Sequence, residues 1–494
     1  MFRQLLRLSQ HSIIYGLGVV VSQLVGFFLI PVYTRYLTTS DYGHLELLQI
    51  TGTMLGVIFV MGLNSALVRS YFLCDNADEK KRVVSTAFVF LSASSALLTL
   101  LLVALAGSFS SLLFGSPEYT QYFRLIFLVL FFDTSIMVGL TVFMVRQEPV
   151  NYALVTVTRV VLGIVLNIVF VVVLHKGVLG ILEASVITSA FIYLVLLGSV
   201  IRRTGFSFSV EELKRMLAFG LPLVPGGLAF YILTLSDRYF LQFFSTTTEL
   251  GLYSLGYKFG LVVGALLVGP FSTAWGPFAF AMAKEPHVKQ TFSRVLTYFV
   301  LVAMFVALAL SVLSKEVLHV MATPAFFNAY KVVPLIALSY VLYGCYYILS
   351  IGLSLEAKTK YIAVVVGTIA IVNLGFNYLL VPSYGMMGAA SATLIAFLLL
   401  ALVSFLASQR FFRVDYDWGR IVKICLAAGV VYAGSLFITN ESGIVAGVFK
   451  LLSLLAYPIL LYIFRFYQPE EIQKVKEIIK GLPSYIKMKR SPRP

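Results

Sequence analysis

Apolar runs of about 20 residues, separated by short polar connectors, recur along almost the whole chain. They fall at roughly 12–33, 45–67, 83–107, 121–145, 152–174, 178–200, 216–243, 251–273, 293–314, 330–355, 361–381, 385–409, 420–438 and 443–465. Each is long enough to cross a bilayer as a helix. The pattern predicts an all-α membrane protein of about fourteen transmembrane helices. The connectors alternate in charge. One set (1–11, 68–82, 146–151, 201–215, 276–294, 356–360, 410–423 and 465–494) holds 28 Lys and Arg, against 4 in the other set, namely Arg35, Lys176, Lys315 and Lys331. A bias that alternates at every span places both termini on the cytoplasmic side.

The chain repeats itself. Ser40-Asp-Tyr-Gly43 answers to Thr248-Glu-Leu-Gly251, Glu148 to Glu356, and Gly177-Val-Leu-Gly180 to Gly385-Met-Met-Gly388, each pair 208 residues apart. That offset holds six helices, an even number, so the two halves are parallel repeats. Substrate sites in such proteins lie between the halves. The expected organisation is a six-helix lobe over 1–204, a second over 205–411, helices 13 and 14 over 412–467, and a basic amphipathic cytoplasmic tail over 468–494.

One span departs from a plain membrane anchor. The seventh, around Phe219–Phe240, carries Pro222, Pro225, Gly226 and Gly227 near its start and the adjacent charges Asp237 and Arg238 near its end. Proline removes a backbone donor and crowds the preceding turn, so the helix kinks or opens there. Freed carbonyls at membrane depth are tolerated only against protein or a water-filled cavity. These four residues are therefore expected to form a hinge.

Composition narrows the class. The chain is 60% hydrophobic and 12% charged with a mean hydropathy of +0.94, more apolar surface than a soluble protein of this size can hide. The net charge of +15 sits in connectors and the tail, which fits membrane orientation and anionic lipid rather than nucleic acid. Cys74, Cys345 and Cys425 have no metal or redox spacing, and the five histidines are scattered. There is no P-loop and no catalytic constellation in a polar segment. The sequence points to no enzyme, no catalytic residue, no metal and no cofactor.

Charge inside the spans remains. Such residues cost roughly 2.5–3.5 kcal/mol each on insertion scales, so they face a cavity or one another. Arg35, Arg124, Arg159, Arg238 and Lys258 outnumber Asp133, Glu183 and Asp237. A cationic surplus suits an anionic substrate, and Arg forks suit phosphate. Arg159, Arg238 and Lys258 are expected to point into one central cavity. Pairing of Asp237 with Arg238 and of Asp133 with Arg159 is the structural alternative. Asp133 and Asp237, the deepest acids, are candidates for proton or sodium coupling.

Ile30-Pro31-Val-Tyr-Thr-Arg35-Tyr-Leu-Thr-Thr-Ser-Asp41-Tyr42-Gly43 resembles the signature after the first helix of the polysaccharide transporters. These are oligosaccharide (O-antigen type) flippases of the multidrug/oligosaccharidyl-lipid/polysaccharide exporter superfamily. Gly62-Leu-Asn-Ser-Ala-Leu-Val-Arg69 and Phe219-Gly-Leu-Pro222 are similar too. Thr38 departs from the family, which commonly has Gly there. The resemblance implies a flippase in a bacterial or archaeal cytoplasmic membrane. It would move a polyprenyl-diphosphate-linked oligosaccharide to the outer leaflet by alternating access, with membrane lipid and polysaccharide polymerases as partners. It assigns Arg35 and Arg69 to the substrate path and Asp41 to coupling, and places a lipid-tail groove on helices 13 and 14. A peptidoglycan-precursor (lipid II) flippase and a cation-coupled multidrug exporter are the competing readings.

Overall fold

The computed structural model describes residues 26–438, 444–469, Glu471 and Gln473. Within them the secondary structure is helical throughout. In chain order the helices are α1 (Ile30–Tyr36), α2 (Thr39–Val60), α3 (Leu63–Leu73), α4 (Ala77–Ala104), α5 (Ala106–Phe114), α6 (Thr120–Val145), α7 (Pro149–Asn167), α8 (Gly177–Thr204), α9 (Val210–Gly220), α10 (Val224–Leu235) and α11 (Asp237–Phe244). The second half continues with α12 (Thr247–Val263), α13 (Gly269–Met282), α14 (Val288–Met321), α15 (Val333–Leu349), α16 (Ile351–Leu355), α17 (Thr359–Gln409), α18 (Trp418–Leu436), α19 (Ile444–Ser453) and α20 (Ala456–Ile463).

Eleven described helical stretches are long and apolar enough to span a bilayer. The 51-residue α17 contains two expected spans, joined at Gly385, whose φ of 51° and ψ of −130° break the helix. The expected span at 443–465 is two short helices, α19 and α20. Most of the span at 12–33, and all but four residues of the tail at 468–494, lie outside the described residues.

Local chemistry sets the helix ends. Thr38 caps α2 by accepting from the Asp41 amide at 3.0 Å, while Asp41 Oδ2 accepts from the Thr38 amide at 3.1 Å and hydroxyl at 2.7 Å. This reciprocal box satisfies donors that a helix start otherwise leaves open. Thr246 caps α12 by accepting from the Glu249 amide at 3.1 Å. Glu249 then reaches across to accept from the Met386 amide at 2.9 Å, capping the second rod of α17. A Cβ on Gly385 would collide with that carboxylate, so the kink needs glycine.

The halves meet through glycine. A Cβ on Gly43 would strike the Thr247 carbonyl, and one on Gly251 would strike the Thr39 carbonyl. The contact is reciprocal, as expected at a two-fold axis. A second close approach joins Gly62 to Gly220, where a Cβ on Gly220 would come within 2.6 Å of Met61 O. The repeat is not rigidly 208 throughout. The left-handed Gln147 with its Glu148 N–H to Phe143 O bond is matched by Ala357 with Lys358 N–H to Leu353 O. Glu148 therefore answers to Lys358, two places beyond Glu356. The offset returns to 208 at Gly177 and Gly385, both with positive φ.

Beyond α17, α18 packs on α14. Arg420 holds both Glu471 carboxylate oxygens at 2.9 Å, fixing the start of the tail. Lys450 on α19 pairs with Glu316 on α14 at 2.6 Å.

Candidate functional site

A cavity of about 1110 Å³ is lined by α2, α3, α6, α7, α8 and α10, together with Gly26 and Leu29. On α2 and α3 its lining residues, Gln49 to Ser65, fall between Gly43 and the Gly62–Gly220 contact or just past it. Helix α7 shows how the sequence aims its polar groups. Thr156, Arg159, Gly163 and Asn167 recur at three- and four-residue spacing and line the cavity. Val150, Leu154, Val157, Val161 and Val165 lie on the outward face and are exposed.

Two charged side chains line this cavity among the described residues, and they hold each other. Arg159 Nη2 lies 2.7 Å and 2.8 Å from the two Asp133 oxygens, and Ser189 donates to Asp133 Oδ1 at 2.7 Å. Thr188, one residue earlier on α8, also lines the wall. Its hydroxyl is buried and has no hydrogen-bond partner.

The geometry corrects the expectation that Arg159, Arg238 and Lys258 share one cavity. Arg238 is 2% exposed and packed inside the second half. It donates to Asp237 Oδ1 at 2.7 Å and to the Thr234 carbonyl at 3.0 Å, with its guanidinium 3.7 Å from the centre of the Tyr257 ring. The Asp237 carboxylate also accepts from Tyr253 and, at 3.2 Å, from Thr393. Adjacent acid and base on one helix face inward here because burial forces each to find its counter-charge locally. Lys258 bridges the halves instead: it reaches Glu46 on α2 at 2.9 Å and the Tyr42 hydroxyl at 3.0 Å.

The remaining expected residues lie at the periphery. Arg35 is exposed at the end of α1, and Asp41 is committed to the α2 cap. Arg69 is exposed on α3, one turn past the cavity-lining Ser65, with its guanidinium 4.9 Å above the Phe219 ring. Pro222 sits in a 3₁₀ turn, Leu221–Leu223, between α9 and α10, and Pro225, Gly226 and Gly227 open α10. The span thus changes from α to 3₁₀ and back where the prolines fall.

Helix α10 separates two cavities. Val224, Gly227 and Tyr231 face the large one, while Gly226, Ala229, Phe230 and Leu233 face a second, of about 360 Å³. Tyr343, Tyr346 and Tyr347 line the far side of the smaller cavity.

Residues 32–330 match the profile of a family described as "Polysaccharide biosynthesis protein". The chain belongs to this family. This family member is 23% identical over 414 residues to "Lsg locus putative protein 1" of Haemophilus influenzae, a match covering 81% of the chain and 99% of that protein. Its fold is similar to "Lipid II flippase MurJ, inward closed conformation", with a TM-score of 0.72, 15% identity, and coverage of 92% of this chain and 98% of that one. It is also similar to an inward-facing multidrug resistance MATE family transporter of the MOP superfamily, at TM-score 0.67, 15% identity, and 78% and 94% coverage. The fold is thus the one shared by that lipid II flippase and that MATE family transporter.

Several residues of this polysaccharide-biosynthesis protein's polar network escape a sequence reading. Glu46 stands at the edge of its span and gives no signal of depth. Thr188, Ser189, Thr393 and Asn373 are polar residues of a kind scattered through every span. The tyrosines at 340, 343, 346 and 347 do carry a signal, since their spacing places them along one face of α15.

Proposed function

We propose that the protein flips a polyprenyl-diphosphate-linked oligosaccharide repeat unit from the cytoplasmic to the outer leaflet for cell-surface polysaccharide assembly. The observation that carries this reading is the large cavity, lined by apolar residues with polar groups among them, in a member of the polysaccharide-biosynthesis family and bounded by α10 with its proline-rich start. The bilayer in question would be the cytoplasmic membrane of a bacterium or archaeon, with both chain termini inside.

Residues 1–204 and 205–411 act as two lobes, 412–467 as a groove for the lipid tail, and 468–494 as a membrane-surface tail. The lobes rock against each other, with Pro222, Pro225, Gly226 and Gly227 as the hinge. Arg159 and Arg69 contact substrate from the cavity wall and its mouth. Lys258 and Arg238 act by holding the lobes and the second-lobe interior together. Arg35 serves lipid phosphate at the surface. Asp237 is the favoured site for proton or sodium coupling, since Tyr253, Thr393 and Arg238 all converge on it. A polymerase would receive the flipped unit.

Removal of the protein from its host should cause one lipid-linked oligosaccharide to accumulate on the cytoplasmic face, and purified protein in vesicles should flip that molecule. Accumulation of peptidoglycan precursor, or export of cationic drugs without lipid flipping, would overturn the reading.

A further inference from the structure

Charge balance in the large cavity narrows the class of sugar. Asp133 and Arg159 are the ionised side chains lining it among the described residues, and they cancel. Both Asp133 oxygens are engaged by Arg159, and Oδ1 by Ser189 as well. Among the described residues no unpaired cation lines this wall to meet an incoming carboxylate, and Asp133 stands beside Arg159 as a competitor of the same sign. A buried anion without a counter-charge is strongly disfavoured, and a like charge nearby adds to the penalty.

The same wall is well supplied for uncharged hydroxyl and amide groups. Gln49, Asn64, Thr53 and Thr156 line it. Thr188 adds a second, independent observation: it is 5% exposed, yet its hydroxyl has no partner. A buried hydroxyl left unpaired costs stability that a ligand donor or acceptor recovers on binding. A sugar hydroxyl supplies both.

We infer that the cavity selects an uncharged oligosaccharide and rejects units bearing acidic sugars, with Asp133 as the residue that sets this preference. This deepens the proposed function and rests on it for the identity of the substrate. At loading the sugar enters the cavity first, and the diphosphate is met by the exposed Arg69, one turn beyond the lining Ser65.

The test uses full-length protein in proteoliposomes with two polyprenyl-diphosphate-linked trisaccharides that differ only in one residue, a neutral hexose or the corresponding uronic acid. The wild type should flip the neutral substrate at least tenfold faster. Asp133→Asn frees Arg159 and should shrink that ratio to about threefold or less. The double variant Asp133→Asn with Arg159→Gln removes both charges and should restore the neutral preference. Arg69→Gln should slow both substrates by the same factor. Equal wild-type rates, faster flipping of the acidic substrate, or a ratio unmoved by Asp133→Asn would overturn the inference.

A parallel measurement of thermal shift in detergent with the two free trisaccharides separates this inference from the transport reading. Absence of flipping for both substrates refutes the proposed function. The free neutral sugar should still stabilise wild type more than the acidic one, and Thr188→Val should weaken that stabilisation severalfold. No preference in this measurement overturns the inference whatever the outcome of transport.

Discussion

Gly43 and Gly251 lie 208 residues apart in sequence and face to face in space, each pressed against the backbone that precedes the other, at Thr247 and Thr39. The reciprocal contact brings α2 and α12 to a separation that no side chain permits. Val at either position should drive the two helices apart, at a cost of about 1–3 kcal/mol or more for overpacking. The check is thermal unfolding in detergent together with disulfide trapping between cysteines placed on α2 and α12, which should form slowly in Gly43→Val.

Beside this contact, Lys258 and Glu46 tie the same two helices. Removing one partner leaves a largely buried charge alone, which is worse than removing both. Lys258→Met should destabilise the protein by up to about 3 kcal/mol, and Lys258→Met with Glu46→Leu should recover most of the loss. A double-mutant cycle on unfolding free energy decides it. Additive losses would mean that the pair contributes nothing.

Gly226 offers a clean test of the hinge because nothing lies within 4 Å of a Cβ built there. Alanine at this position stiffens the start of α10 without a clash and should stabilise the helix by roughly 0.5–1 kcal/mol. Flipping should nevertheless slow severalfold. Gly227→Ala is the less clean variant, since its Cβ would press on Val57 at 3.3 Å. An unaltered rate in Gly226→Ala, with the expected gain in stability, would place the moving part elsewhere.

Acid should loosen the connector between α6 and α7. Burial alone would raise the Glu148 carboxyl, but hydrogen bonds from Arg203 and Asn151 outweigh it and hold the group below the usual carboxylate range. A folded value below the unfolded one, about 4.3, contributes stability that is present above that pH. It is lost as the pH falls through the lower folded value. The melting temperature should therefore drop more steeply between pH 6 and pH 3 in the wild type than in Glu148→Gln.

The all-helical, membrane-spanning character was legible because it rests on a pattern that the bilayer imposes everywhere. The broken seventh span was legible for the same reason, as Pro222 and Pro225 have few acceptable places in a helix. Which charge faces which was not. Asp133 and Arg159, 26 residues apart, meet because α6 and α7 are antiparallel neighbours in the depth where both stand. Lys258 and Glu46 meet only because the repeats pack two-fold about Gly43 and Gly251. A surplus of cations counted along the chain therefore did not become a cationic cavity. Thr38, a departure from its family's pattern, turned out to be the cap of α2.

The two-residue slip between the repeats sets a limit on how interchangeable they are. From Gln147 to Asn167 the second copy runs 210 residues behind, as Asn167 and Asn377 show by each bonding the carbonyl four residues earlier. By Gly177 the copies are back in step, because the first has a wide π turn, Ile168–Val173, before its left-handed His175. A gene conversion that copied residues 359–384 over 149–176 would thus deliver a segment two residues too short. It would also erase Arg159, leaving Asp133 stranded in the wall. Such a copy would disturb both the register of the chain and the Asp133–Arg159 pair, so the two segments are not interchangeable.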